Sequence, residues 1–157
     1  MARQLRLNLI LLIVVGLLGL LVWRAQPPGF PPLTSLDPSQ IDRIEISHLS
    51  ARQIVLRKQA GIWRSGSVIA NQQRIAQLLG ICDTPSLERF AAPSDLKPFG
   101  LDPAPTRLHL NGLTLDFGAT DPVNGWRYVR IGKQIHLIAD GFYHHLTAPL
   151  SAWQESP

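Results

Sequence analysis

The side chains that could carry chemistry are few in this 157-residue chain, and they are scattered. Five histidines invite a metal hypothesis, but His48, His109 and His136 fall in separate expected strands. His144 and His145 are adjacent, so on a helix they face different ways. No cysteine or carboxylate stands at ligand spacing from them, and no His-x-x-x-His of the kind that holds zinc on one helix face is present. Ser65, His109 and Asp116 supply the residue types of a nucleophile, a base and an orienting carboxylate, as many chains of this length do by composition alone. A Gly-x-Ser-x-Gly elbow, a phosphate-binding glycine loop and a dinucleotide fingerprint are all missing. The expectation is a protein without catalytic residues, without a metal and without a cofactor.

Cys82 is the single cysteine, so no internal disulfide forms and the fold must rest on its apolar core. The net charge is +4, from 15 basic and 11 acidic residues. Setting aside Arg3, Arg6 and Arg24 leaves 12 basic residues against the same 11 acidic ones, so the body of the chain is nearly neutral. It has no basic stripe that would track phosphates, and nucleic acid is not an expected partner. Aromatic residues are the better clue to binding. Trp63, Trp126, Tyr128 and Trp153 could fill a core or anchor an interface. Trp126, between Asn124-Gly125 and Arg127 at the edge of a loop, is the expected partner-facing residue, with Arg127, Tyr128 and Phe99 beside it as candidates. Gly100-Leu101-Asp102-Pro103 reads as a tight turn leading into a strand, glycine supplying an unusual backbone angle and proline stiffening it. The competing reading makes it a docking loop with Phe99 as an exposed anchor.

The elements that must position these residues are mainly strands. Ile41 to His48 alternates apolar and polar residues, Arg52 to Lys58 repeats the pattern, and Ala60-Gly61 turns the chain into a third short strand with Ile62 and Trp63. Asn71 caps a helix whose apolar stripe is Ile75, Leu78, Leu79 and Cys82. Thr84 to Phe90 is a weaker strand, and 91–100 is a loop with room for one helical turn from Ser94. Thr106 to Phe117 forms a hairpin across Asn111-Gly112, a pair suited to a type I′ turn. Trp126–Ile131 and Gln134–Ala139 form a second hairpin across Gly132-Lys133. Asp140 then caps a short terminal helix anchored by Phe142, Leu146, Leu150 and Trp153. The fold class expected is α+β: a mainly antiparallel sheet with two or three short helices, standing behind an N-terminal transmembrane helix.

That last expectation rests on Leu7 to Trp23, LNLILLIVVGLLGLLVW, an uncharged run between Arg6 and Arg24 with one polar side chain, Asn8. Arg6, Trp23 and Arg24 suit the membrane interfaces. Arg3, Arg6 and the amino terminus precede the run, so the positive-inside bias places a tail of residues 1–6 in the cytoplasm. In a bacterium the chain is then a single-pass inner-membrane protein with its C-terminal domain in the periplasm. Residues 24–38, with prolines at 27–28 and 31–32, read as a semi-rigid spacer, and 39–157 as the periplasmic domain.

A strand meander with Gly61-x-Trp63, a short helix, Phe99-Gly100-Leu101-Asp102-Pro103, a hairpin ending in Phe117-Gly118, and Arg127-Tyr128-Val129 together resemble the envelope domain family called domain of unknown function 4340. The similarity covers about Ile41 to Leu150. It implies a domain behind a membrane helix, in some cases associated with ABC transporters of the gliding-motility type, and it implies no catalytic residues. The expected function is a non-enzymatic, membrane-anchored binding or scaffold domain with other envelope or membrane proteins as partners. Carriage of a lipid or glycan, with Val129-Ile131 and Leu137 lining a cleft, is the alternative, and a periplasmic hydrolase the third reading. No small-molecule ligand is specified by the residues.

Overall fold

In the computed structural model, residues 11–18, 29–49 and 51–155 are described. Nine antiparallel strands form one sheet: β1 (Arg43–His48), β2 (Ala51–Gln59), β3 (Ile62–Ser65), β4 (Val68–Ile69), β5 (Glu88–Ala91), β6 (Thr106–Leu110), β7 (Leu113–Thr120), β8 (Arg127–Ile131) and β9 (Gln134–Ile138). Their spatial order is β4-β3-β2-β1-β6-β7-β8-β9-β5. Among the described residues the helical segments are α1 (the described residues 11–18), α2 (Gln72–Leu79) and α3 (Tyr143–Leu146), with 3₁₀ turns at Pro38–Gln40, Gly80–Asp83, Lys97–Phe99 and Leu150–Trp153.

This corrects the expected fold class. Among the described residues no helix is long and apolar enough to cross a membrane. Of the Leu7–Trp23 run the described residues are 11–18, and these are helical. Their large side chains, Leu11, Leu12, Ile13, Val14, Val15, Leu17 and Leu18, are exposed. Arg6, Trp23 and Arg24, the expected interface residues, lie outside the described residues, as does the tail at 1–6. An uninterrupted apolar run satisfies a hydropathy pattern without fixing the extent of the helix it forms, so the pattern alone does not establish a span.

Strand alternation sends two sets of side chains to opposite faces. Ile44, Ile46, Ile54, Leu56, Trp63, Leu108, Leu110, Leu115, Phe117 and Val129 join the main core, closed by Ile75, Leu78 and Leu79 of α2, Leu146 of α3, and Trp153. Asn71 starts α2 by accepting a hydrogen bond from the Arg74 amide at 2.9 Å. The next residue, Gln72, accepts from the Trp63 amide and donates to its carbonyl, both at 3.0 Å, which ties the helix start to β3. Past α2, Ile81 and Cys82 are buried in the following 3₁₀ turn. Burial, opposed by a contact with Thr34, pushes the Cys82 thiol above its ordinary pKa, so it sits there as a neutral apolar group.

Three sequence expectations meet a different arrangement. The proline-rich stretch does not stand clear of the domain from residue 31 onward. Leu33 is 4% exposed within the main core, its amide bonds the Thr84 carbonyl at 2.7 Å, and Pro32 bridges Pro85. Asp140 does not cap α3. Its carboxylate is taken by Arg127, and the residue at the helix start, Phe142, makes no side-chain cap. In the β6–β7 turn Asn111 has φ of 50° but Gly112 does not share the left-handed conformation that a type I′ turn demands of both. The Asn111 side chain instead clasps the chain before β1, accepting from the Asp42 and Arg43 amides at 3.1 Å and donating to the Gln40 carbonyl at 3.0 Å.

Candidate functional site: a cleft walled by two arginines

On the face opposite the main core, the 92–105 connection folds over the β7–β8–β9–β5 end of the sheet. It buries a second apolar group there: Leu101, Ile135 and Leu137, with Phe90, Phe99 and Tyr128 partly covered. The Phe99 ring lies 5.1 Å from that of Tyr128, edge to face, and 5.6 Å from that of Phe90. The turn is seated on β7 by two glycines. Gly100 has φ of +65°, and a β-carbon there would stand 2.8 Å from the Ala119 amide nitrogen. A β-carbon on Gly118 would stand 2.2 Å from the Phe99 carbonyl oxygen. The strand is irregular at this point, its register with β8 shifting between Phe117 and Thr120. Asp102-Pro103 is a cis peptide.

Where this turn leaves the sheet, a cleft of about 400 Å³ opens, lined by Ser47, His48, Leu49, Leu96, Leu101, Asp102, Pro103, Ala104, Arg107 and Arg130. Its charged wall comes from register. Arg107 of β6 lies opposite Asp116 of β7, which lies opposite Arg130 of β8. Arg107 Nε donates to Asp116 Oδ1 at 2.5 Å. Arg130 donates to Oδ2 through its Nε at 3.1 Å and a terminal nitrogen at 2.5 Å. The Asp116 side chain is 6% exposed, while those of Arg107 and Arg130 are 46% and 28% exposed. Burial alone would raise the Asp116 pKa, but the hydrogen bonds and charges of the two guanidiniums outweigh it and hold the carboxyl below its ordinary value. Each guanidinium has five N–H donors, and the carboxylate uses only some of them. The remaining donors are fixed in orientation and open to a second acceptor.

The four candidate partner-facing residues separate. Phe99 and Tyr128 are packed together, and the Tyr128 hydroxyl donates to Asp121 at 3.2 Å. Burial, then the Asp121 carboxylate, pushes the Tyr128 pKa up. Arg127 is 9% exposed. It is paired with Asp140, donates to the Gly118 carbonyl at 2.5 Å and lies 3.5 Å over the Tyr143 ring. Trp126 is half-buried at the loop that precedes β8. Gly100, Leu101, Asp102 and Pro103 form the turn itself, and Leu101, Asp102 and Pro103 line the cleft.

The trio Ser65, His109 and Asp116 is not assembled. β3 and β6 are separated by β2 and β1, a lateral distance of roughly 14 Å. His109 Nδ1 pairs with Thr114 Oγ1 at 2.9 Å, and Asp116 belongs to the arginines. Among the described residues no group of three metal-ligating side chains comes together. Arg107 and Arg130 were not singled out in the sequence. The signal available was their outward position in the strand alternation beside an outward Asp116.

Comparison of the chain with protein-family models, with curated proteins and with solved structures found no match in any of the three. The resemblance described above therefore rests on its motifs alone.

Proposed function

We propose that this chain is a non-enzymatic binding or scaffold domain, and that its docking site is the two-arginine cleft, which receives an acidic group of a partner protein. The observation that carries this reading is the Arg107–Asp116–Arg130 row. One buried carboxylate holds two guanidiniums in fixed geometry at the wall of a cleft while leaving donors unused. Planar guanidiniums fixed in this way suit a carboxylate better than a lysine pair would, because the entropy of orienting them is already spent on folding. Leu96 and Pro103, which line the same cleft, give the partner a non-polar surface beside the charge.

The test is photo-crosslinking in the cell of origin, with a photo-reactive residue at position 102 and a control at position 66 on the far edge of the sheet. The reading predicts a specific protein adduct at 102 that is lost when Arg107→Gln and Arg130→Gln are combined. An adduct pattern identical at both positions, or unchanged in the double variant, refutes it. Carriage of an amphiphile has a separate structural basis, in a groove on the other face.

A further inference from the structure

A groove opens on the core-side face, where the segment before the first 3₁₀ turn runs alongside the ends of β7, β8 and β9. It has a volume of about 410 Å³, toward the lower end of the ~300–1,000 Å³ typical of small-molecule sites. One wall is mainly apolar, made by Pro31, Pro32, Leu33, Leu113 and Ile131, with Thr34 and Ser35 following the prolines. The other end is polar: Arg89, Gln134 and His136. No acidic side chain lines it, and among the described residues Arg89 makes no ion pair.

The polar end is built rather than incidental. His136 is 7% exposed, and its Nδ1 meets Ser86 Oγ at 2.8 Å. Ser86 is 4% exposed and has a second partner in the Glu88 carbonyl at 3.3 Å. This leaves Nε2 of a groove-lining histidine, more than nine-tenths buried, without a protein partner among the described residues. Arg89 stands directly opposite His136 across the β5–β9 ladder. Burial, then the positive charge of Arg89, lowers the His136 pKa, so the site already holds one uncompensated cation beside an imidazole. The apolar wall is held by backbone bonds, Ser86 amide to Pro31 carbonyl at 2.9 Å and Leu33 amide to Thr84 carbonyl at 2.7 Å.

We propose that this groove binds a medium-chain carboxylate, with its head on Arg89, Gln134 and His136 and its hydrocarbon along Pro31, Pro32, Leu113 and Ile131. Charge complementarity selects the head: a cation, an amide and an imidazole with no carboxylate among them. The prolines and the aliphatic side chains offer a non-polar tail an apolar surface, against which a sugar's hydroxyls would go unpaired except where they reach Thr34 and Ser35.

The experiment is isothermal titration of the full purified chain with decanoate and, separately, decan-1-ol. Saturable binding of decanoate at one site is expected, with decanol at least tenfold weaker. Arg89→Met, at an exposed edge position, is expected to weaken decanoate about tenfold while leaving decanol unchanged, the loss of one charge-assisted hydrogen bond. Arg107→Gln, in the other cleft, is expected to leave decanoate binding intact. No saturable uptake, equal affinity for decanol, or indifference to Arg89→Met each overturns the proposal. Loss of binding in Arg107→Gln would place the carboxylate in the two-arginine cleft and overturn it too. Failure of the docking cleft in crosslinking would leave these titrations unaffected, so the two sites stand or fall separately.

Discussion

Replacing Gly118 with alanine tests the seating of the cleft turn directly. The new methyl carbon would stand 2.2 Å from the Phe99 carbonyl oxygen, 2.9 Å from Leu101 Cγ and 3.1 Å from Leu101 Cδ2. The carbonyl is backbone and cannot rotate away on its own, because the Phe99 and Gly100 amides are bonded to Leu96 and Lys97 carbonyls at 3.2 and 2.9 Å. One of two bodies must move by about an ångström. If the turn lifts, Leu101, now 3% exposed, loses its burial, and the Phe99–Tyr128 ring contact opens. Uncovering a leucine costs about 1.5–3 kcal/mol, and an aromatic pair contributes about 0.5–1.5 kcal/mol beyond its area. If β7 shifts instead, the 2.5 Å bond from Arg127 to the Gly118 carbonyl breaks, a buried, charged bond worth about 1.5–3 kcal/mol. The first route predicts a loss of about 2–4.5 kcal/mol and the second about 1.5–3 kcal/mol, so a fall in Tm of roughly 10 °C is expected for a domain of this size. Urea unfolding followed by the fluorescence of the buried Trp63 and Trp153 reads it out. Gly141→Ala, where a β-carbon would meet nothing within 4 Å, is the matched control and should change stability by less than about 0.5 kcal/mol. A Gly118→Ala protein as stable as that control would refute the seating of the turn on β7, and with it the shape of the cleft.

Two further outcomes follow from single contacts. Asp116 has a folded-state pKa below its ordinary value of 3.8, so its contribution is complete above that pH and is lost as the pH falls from there through the lowered value. Asp116→Asn should cost about 1–3 kcal/mol at neutral pH and should unfold with a flatter dependence on pH below 4, as measured by urea midpoints across that range; an unchanged acid slope would show that the arginines do not hold the carboxylate. Leu33→Ala should cost about 2–4 kcal/mol by the same assay, because the side chain is 4% exposed in the main core; no change would mean that the proline-rich stretch is a free spacer after all.

The sheet was legible in the chain wherever one face is buried and the turn is short. Ile44 and Ile46, and Leu108 and Leu110, alternate with polar neighbours, and a shift of one residue in either strand would put the apolar set into water. Helix α2 was legible because its cap is local, Asn71 reaching three residues along its own chain. What was not legible depended on a partner far away in sequence. Nothing near Asp140 says that Arg127 will claim its carboxylate before the α3 amides can. Nothing in a proline pair says that Leu33 and Thr34 will be drawn down onto the Thr84 and Cys82 carbonyls.

The Arg107–Asp116–Arg130 row shows how thin that margin is. Arg107 and Asp116 stand at equal distances from the Asn111-Gly112 turn, so their pairing follows from the hairpin alone once the turn is known to hold two residues. Arg130 does not follow. The β7–β8 ladder begins at its loop end with Thr120 opposite Arg127, and an unbroken register from that pair would set Asp116 against Ile131. The irregularity between Phe117 and Thr120 takes up one extra residue and sets Asp116 against Arg130 instead. That irregularity is where Gly118 receives the Phe99 carbonyl. The same local distortion therefore seats the turn that roofs the cleft and supplies the second guanidinium to its wall. Neither function is visible in the identity of Arg130 itself, and both are forfeited if β7 runs straight.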